Sequence, residues 1–108
     1  MILLHLLLGT AVVVLCAAAG LASLRRDGAE PAVARWALGT LALQVASGMF
    51  LLTGAARVSL VHVLVPSAGL AAVVVARSVE GPGSRLAGAA YLAAAAAAVA
   101  AFVTGLGA

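Results

Sequence analysis

Four long apolar stretches, each separated from the next by a few polar or small residues, constrain this chain most. They cover residues 2–24, 32–54, 58–76 and 85–105. About 20 apolar residues in a helix cross the roughly 30 Å hydrocarbon layer of a bilayer, so each stretch is long enough or nearly long enough to span it. The sequence therefore predicts an all-α, integral-membrane bundle of four transmembrane helices that forms one domain over residues 1–108.

The composition indicates that lipid is the natural solvent for this chain. Hydrophobic residues make up 66% of it and charged residues only 8%. A soluble domain of this size leaves roughly 40% of its unfolded surface exposed, so it has no room to hide so much apolar surface. The single cysteine, Cys16, excludes an internal disulfide and a cysteine cluster for zinc or iron–sulfur. We expect Cys16 to act as a small, buried apolar residue.

The arginines predict the orientation in the membrane. The first loop and its flanks carry three arginines and the third loop carries two, whereas the second loop has only Arg57. By the positive-inside rule the first and third loops face the cytoplasm, and both termini are extracytoplasmic. The first stretch has no basic leader and is longer than a signal peptide's apolar region, so we expect it to remain as a helix. The five other arginines are Arg25, Arg26, Arg35, Arg77 and Arg85.

Turn and capping residues predict where the helices end. Gly28 can end the first helix, and Pro31 suits the first turn of the second. A polar loop is expected from Arg77 to Arg85, in which Ser84 can cap the fourth helix. The fourth helix is mostly alanine, which lets helix backbones approach closely, so we expect it to serve as a packing surface.

Polar residues inside the stretches are few. Gln44 lies near mid-membrane and should face the bundle interior, because an amide exposed to lipid costs several kcal/mol. Its simplest role is an interhelical hydrogen bond, and cofactor contact is the alternative. Trp36 suits the membrane interface or a packed core. The acidic residues Asp27, Glu30 and Glu80 all fall in predicted loops, which argues against proton-coupled transport through a membrane carboxylate.

The two histidines, His5 and His62, stand at matching depths in the first and third stretches. Each lies about three or four residues after its stretch begins, so at about 1.5 Å per residue their side chains are within a few Å of one level. Histidines in membrane helices usually face the interior or a wet cavity. Two neutral imidazoles at one level on parallel helices are what axial ligation of haem iron requires. The sequence therefore predicts a haem, haem b, with His5 and His62 as metal ligands.

The residues beside the histidines fit this hypothesis. Gly9 lies one turn below His5 and leaves room for a flat macrocycle. Pro66 lies one turn below His62 and removes the amide that would bond its carbonyl, so the helix should bend beside the ligand, or Pro66 is an ordinary kink. Either Ser59 or a nearby carbonyl can hold the other ring nitrogen of His62 and fix its tautomer.

Two further residues have alternative interpretations. Arg57 stands at the outer mouth of the predicted site, where it can pair with a haem propionate or act as a plain interfacial charge. Met49 can be an alternative axial ligand, but a role in the core is the favoured interpretation.

These motifs, in this order, resemble one four-helix half of the heme A synthase family. The likeness covers residues 2–77 and is carried by the segments HLLLG from His5, LQVASG from Leu43 and LVHVL from Leu60. Family members are generally built from two such halves, each with a histidine pair on its first and third helices and a Gln-x-x-x-Gly helix between them. The resemblance implies that Gln44 and Gly48 belong to a haem site.

The chain departs from the family pattern at two positions. The family has a glutamate three residues before the first histidine and an arginine directly after it, where this chain has Ile2 and Leu6. Without that carboxylate, the chain lacks the acidic residue that the family uses to oxygenate a haem methyl group. It also corresponds to only one of the family's two halves. The resemblance therefore implies a haem-binding relative, alone or as a dimer, rather than a synthase.

The main functional hypothesis is a b-type cytochrome of the cell membrane that transfers electrons, alone or as a subunit of a respiratory complex. Its haem lies toward the extracytoplasmic side, and a role as an electron carrier or subunit is favoured over one as an enzyme. Expected partners are the lipid bilayer, a second copy or a larger membrane complex, and a quinol or redox protein, with no nucleic acid. The alternatives are a cofactor-free accessory or assembly subunit, and a haem-modifying protein that depends on a partner. Two histidines filling both axial positions favour electron transfer over oxygen chemistry.

Overall fold

A computed structural model describes residues 2–25, 30, 32–52 and 60–106 of the chain. These residues form four α-helices, which confirms the all-α, four-helix prediction. They are α1 (Ile2–Arg25), α2 (Ala32–Leu52), α3 (Leu60–Glu80) and α4 (Arg85–Leu106). The roles predicted for Gly28, Pro31, Arg57 and Ser59 lie outside the described residues, as do the last two residues of the second predicted stretch.

The helices pack as an elongated bundle of 44 × 22 × 19 Å. α1 packs extensively against both α2 and α4, and α3 packs extensively against α4 but only lightly against α2. α1 and α3 are therefore diagonal neighbours, and consecutive helices are adjacent. The light contact between α2 and α3 leaves this side of the bundle the most open.

α1 and α4 approach most closely where two glycines face each other. A Cβ on Gly20 would lie 2.5 Å from Leu92 Cγ and 2.9 Å from the carbonyl oxygen of Gly88. A Cβ on Gly88 would lie 2.9 Å from Ser23 Cβ. The backbones come this close because neither residue has a side chain, as is common between membrane helices. The packing role predicted for α4 is thus met in detail.

The core is built mainly from small residues. Cys16 is fully buried, which confirms its predicted role. The largest buried side chain is Tyr91 of α4, whose hydroxyl donates a 2.9 Å hydrogen bond to the carbonyl oxygen of Ala34 on α2. This bond ties together two helices that are diagonal in the bundle. The other core residues include Val12, Ala19, Ala37, Leu41, Val73 and Ala94.

α3 is longer than the sequence predicts. The polar loop expected to begin at Arg77 is wrong at its start, because α3 continues through Arg77 to Glu80. Arg77 has a partner there: its Nη2 lies 2.7 Å from Glu30 Oε1, and its Nε–H donates to the same oxygen at 3.0 Å. The polar residues thus extend the helix beyond its apolar part instead of ending it.

The turn between α3 and α4 spans only Gly81 to Ser84. Gly81 and Gly83 have φ angles of +95° and +91°, a left-handed conformation that suits glycine at the end of a helix. Ser84 Oγ accepts a 3.1 Å hydrogen bond from the Ala87 N–H. This bond confirms Ser84 as the N-cap of α4.

Three of the described helices are long and apolar enough to cross a membrane. They are Leu3–Arg25, His62–Glu80 and Arg85–Val103, within α1, α3 and α4. α2 carries Arg35, Thr40 and Gln44 along its length. Trp36 on α2 is 70% exposed, so the alternative of a packed core indole is wrong.

Candidate functional site

α1 and α3 bring His5 and His62 together across the bundle. The ring centroids lie 6.4 Å apart and the ring planes are inclined by 61°. Two imidazoles that bind one metal in line have centres about 6 Å apart, because each metal–nitrogen bond is about 2 Å and each nitrogen lies about 1 Å from its ring centre. The observed separation is close to this value.

The hydrogen bonds around His5 define its tautomer. Nδ1 of His5 lies 2.8 Å from Ser47 Oγ. The Ser47 hydroxyl donates its one hydrogen to the carbonyl oxygen of Gln44 at 3.0 Å, so it accepts from the Nδ1–H of His5. The neutral ring of His5 then carries its lone pair on Nε2.

His62 has the same tautomer for a different reason. Its Nδ1 lies 2.6 Å from the carbonyl oxygen of Ala101 near the end of α4. A carbonyl only accepts, so Nδ1 is the donor and Nε2 carries the lone pair. Of the two partners that the sequence suggested for this ring, the structure has a carbonyl. Both imidazoles therefore carry their lone pair on the same nitrogen, Nε2.

Gln44 faces the bundle interior, as predicted. Its Nε2 lies 3.5 Å from His5 Nε2, at the outer limit of a hydrogen bond, which agrees with the interhelical role. A Cβ on Gly9 would lie 3.1 Å from the Gln44 Nε2, so Gly9 makes room for the amide. Gln44 Oε1 is buried with no hydrogen-bond partner among the described residues. A buried acceptor without a hydrogen-bond partner is uncommon in proteins, so the packing around the Gln44 amide is unusual.

Gly48 lies directly against the ring of His5. A Cβ on Gly48 would come 3.4 Å from His5 Cε1 and 4.0 Å from Nε2. The Gln-x-x-x-Gly segment of α2 therefore contacts α1 at both of its ends, through the amide of Gln44 and the bare backbone of Gly48.

Two cavities adjoin the histidine pair, and His5, Gln44, His62 and Pro66 line both. The smaller cavity, about 40 Å³, lies between α2 and α3. The larger, about 490 Å³, is lined mostly by apolar side chains of α1 and α4. Its size falls within the range of about 300–1,000 Å³ that is typical of ligand and cofactor sites.

Pro66 and Met49 line the site in different ways. Pro66 lies within α3, which is continuous through it, although proline has no amide hydrogen to donate within the helix. The core role favoured for Met49 is wrong: its side chain is 46% exposed and lines the smaller cavity. Met49 remains uncovered because α2 and α3 pack lightly there.

Sequence reasoning missed Ser47 as the partner of His5, and it did not identify which carbonyl holds Nδ1 of His62. Ser47 carried a signal, since a small hydroxyl in an apolar helix, on the stretch facing His5, is an available acceptor. The carbonyl of Ala101 carried none, because every residue has one. Leu6, at the position where the heme A synthase family has arginine, lines the larger cavity.

Comparisons with known proteins add no further information. No protein-family model matches this chain, and searches for similar curated proteins and similar solved structures found no match. The interpretation of the site therefore rests on the geometry of its own residues.

Proposed function

We propose that this chain is a haem-binding protein of the cell membrane in which His5 and His62 ligate the iron through Nε2. The observation that supports the proposal most is the ring pair itself, with centroids 6.4 Å apart and each Nδ1–H on an acceptor. A haem with two imidazole ligands takes up and releases single electrons. The function is then electron transfer, as a b-type cytochrome or as a subunit of a respiratory complex.

The surroundings of the rings suit the macrocycle of a haem. The adjoining cavities are lined mainly by apolar groups. Gln44 has to give up its 3.5 Å contact with His5 Nε2 when that nitrogen binds iron. This bond is long and therefore weak, so its loss costs little. The likeness to one half of heme A synthase is a second, sequence-based support.

We place all four helices in the membrane, α2 included, with both termini extracytoplasmic. The arginine distribution supports this orientation. The histidines lie near the starts of α1 and α3, which puts the haem toward the extracytoplasmic side. The ion pair of Arg77 with Glu30 lies at the other ends of the helices, where the cytoplasmic surface would be.

Electron transfer requires partners, which we expect in or beside the membrane. The proposed arrangement is a homo-oligomer or a larger membrane complex, with a quinol or a redox protein exchanging electrons with the haem. The outward-facing alanines of α4 offer a smooth surface on which another helix can pack.

A spectrum of the purified protein tests the proposal. We expect a chain from haem-replete cells, purified in mild detergent, to show a low-spin haem spectrum that changes on reduction. His5→Ala and His62→Ala should each abolish it. Ser78→Ala is the matched control, because the Ser78 hydroxyl donates to the Val74 carbonyl on the same helix and lines neither cavity. A colourless wild-type chain would contradict the haem proposal.

The second candidate is a cofactor-free accessory subunit. One observation favours it: both histidines already bond across helices, to Ser47 on α2 and to Ala101 on α4. The rings would then hold the bundle together. In that case the wild-type chain is colourless, and His5→Ala or His62→Ala weakens a membrane complex or lowers thermal stability without any change in the spectrum.

A further inference from the structure

We infer that Ser47 is a positioning residue that fixes His5 as the Nδ1–H tautomer and so presents its Nε2 to the site. The consequence of this tautomer for iron binding rests on the proposed function. The tautomer itself is a property of the chain without cofactor, so it can be measured separately.

The inference follows from the hydrogens available to Ser47. Its Oγ lies 2.8 Å from His5 Nδ1 and 3.0 Å from the Gln44 carbonyl oxygen. The carbonyl cannot donate, so it takes the single hydroxyl hydrogen. Oγ then offers its lone pairs to the ring, and the hydrogen between Oγ and Nδ1 belongs to His5.

A rival arrangement has the opposite hydrogens. The Ser47 hydroxyl would leave the Gln44 carbonyl and donate to His5 Nδ1, and His5 Nε2–H would donate to a rotated Gln44 amide. This arrangement loses one hydrogen bond within α2 and turns the ring's lone pair away from the site. The two arrangements predict different protonated nitrogens, so an experiment separates them.

Ser47 also makes the two histidines unequal. His62 donates to a backbone carbonyl at 2.6 Å, whereas His5 donates to a hydroxyl at 2.8 Å. A partner on Nδ1 raises the basicity of the ligating nitrogen, and a shorter bond to a carbonyl raises it more. Nε2 of His5 is therefore the less basic of the two proposed ligand atoms. Its supporting group is the Ser47 side chain, which a substitution can remove, whereas the group that supports His62 is a backbone carbonyl.

The first test is ¹⁵N NMR of histidine-labelled, haem-free protein in detergent micelles, with the His5 signals assigned by their loss in His5→Ala. We expect the wild-type His5 to be protonated at Nδ1. Ser47→Ala should shift it to a mixture of tautomers, Ser47→Thr should restore the wild-type signals, and Ser78→Ala should leave them unchanged. A wild-type ring protonated at Nε2, or a Ser47→Ala ring that keeps its tautomer, would overturn the inference.

The second test is haem titration with measurement of the midpoint potential. Loss of a residue that orients a metal ligand typically weakens binding about 10–100-fold. Ser47→Ala should weaken ferric more than ferrous binding and so raise the potential, by about 59 mV for each tenfold difference between the two. Ser78→Ala, whose hydroxyl donates within α3 away from both cavities, should change neither quantity. An unchanged potential in Ser47→Ala would count against the inference even if affinity falls.

These tests separate the inference from the proposed function. A tautomer that depends on Ser47 in a chain that never binds haem would refute the cytochrome and keep Ser47 as the positioning residue of His5. A chain that binds haem, but whose His5 tautomer does not depend on Ser47, would support the cytochrome and refute the positioning role of Ser47.

Discussion

His62 on α3 and Ala101 on α4 are joined by a 2.6 Å hydrogen bond from the ring Nδ1–H to the backbone carbonyl. His5 on α1 makes the matching bond to Ser47 on α2. Each ring is thus oriented by the helix that follows its own, and α2 and α4 act as supports for α1 and α3. The site consequently depends on the packing of all four helices, which is the basis of the predictions below.

Replacement of Gln44 should strengthen the site. Gln44→Leu removes the amide that contacts His5 Nε2 and also removes the buried, unpartnered Oε1. A contact this long contributes no more than the low end of the about 0.5–1.5 kcal/mol typical of a hydrogen bond, so the haem affinity of the proposed site should rise about twofold. Haem titration measures this change. A large loss of affinity would instead show that Gln44 contacts the cofactor directly, which is the alternative role that the sequence suggests.

Substitution of Gly20 should destabilise the bundle. In Gly20→Ala the new methyl group would press on Leu92 and on the Gly88 carbonyl oxygen, and such overpacking typically costs about 1–3 kcal/mol. Gly39→Ala is the control, because nothing lies within 4 Å of a Cβ there. It should be neutral or stabilising by up to about 1 kcal/mol through helix propensity. Thermal unfolding in detergent, followed by circular dichroism, compares the two, and equal midpoints would contradict the close approach of α1 and α4.

Removal of the Tyr91 hydroxyl should lower stability without affecting the histidine site. Tyr91→Phe loses the buried bond to the Ala34 carbonyl, and we expect a loss of about 0.5–1.5 kcal/mol. Ser78→Ala removes an exposed hydroxyl that donates within its own helix and should change stability little. Denaturant titrations of the two variants give the comparison. If Tyr91→Phe unfolds at the wild-type midpoint, the bond contributes nothing.

The ion pair between Arg77 and Glu30 should contribute measurably but modestly. Arg77→Gln and Glu30→Gln should each cost about 1 kcal/mol or less, and the double variant should cost less than the sum of the two. The coupling should fall at high salt because the pair is only partly buried. A double-mutant cycle at two salt concentrations measures it. Strict additivity of the two substitutions would show that the pair does not interact.

Much of the fold could be predicted because the apolar stretches are long and contain few polar residues. Apolar stretches of about 20 residues have few alternatives to a helix, and the matched depths of His5 and His62 anticipated that the bundle would bring them together. The inner contacts could not be predicted, because a helix that is apolar all round does not reveal which face is buried. The Gly20–Gly88 crossing, the Tyr91 bond and the exposure of Met49 all depend on helix rotation. The predicted end of α3 was too early, because the residues from Arg77 to Glu80 are polar in composition like a loop but continue the helix.

The glycine contact between α1 and α4 also has a mechanical consequence. It lies far along α1 from His5, while the cavities and the lightly packed α2–α3 side lie around the two rings. The helices are thus packed closely at one end of the bundle and more loosely at the other. A ligand that enters between the rings would separate only the first turns of α1 and α3. The contact of α1 with α4 at Gly20 and Gly88 would stay in place.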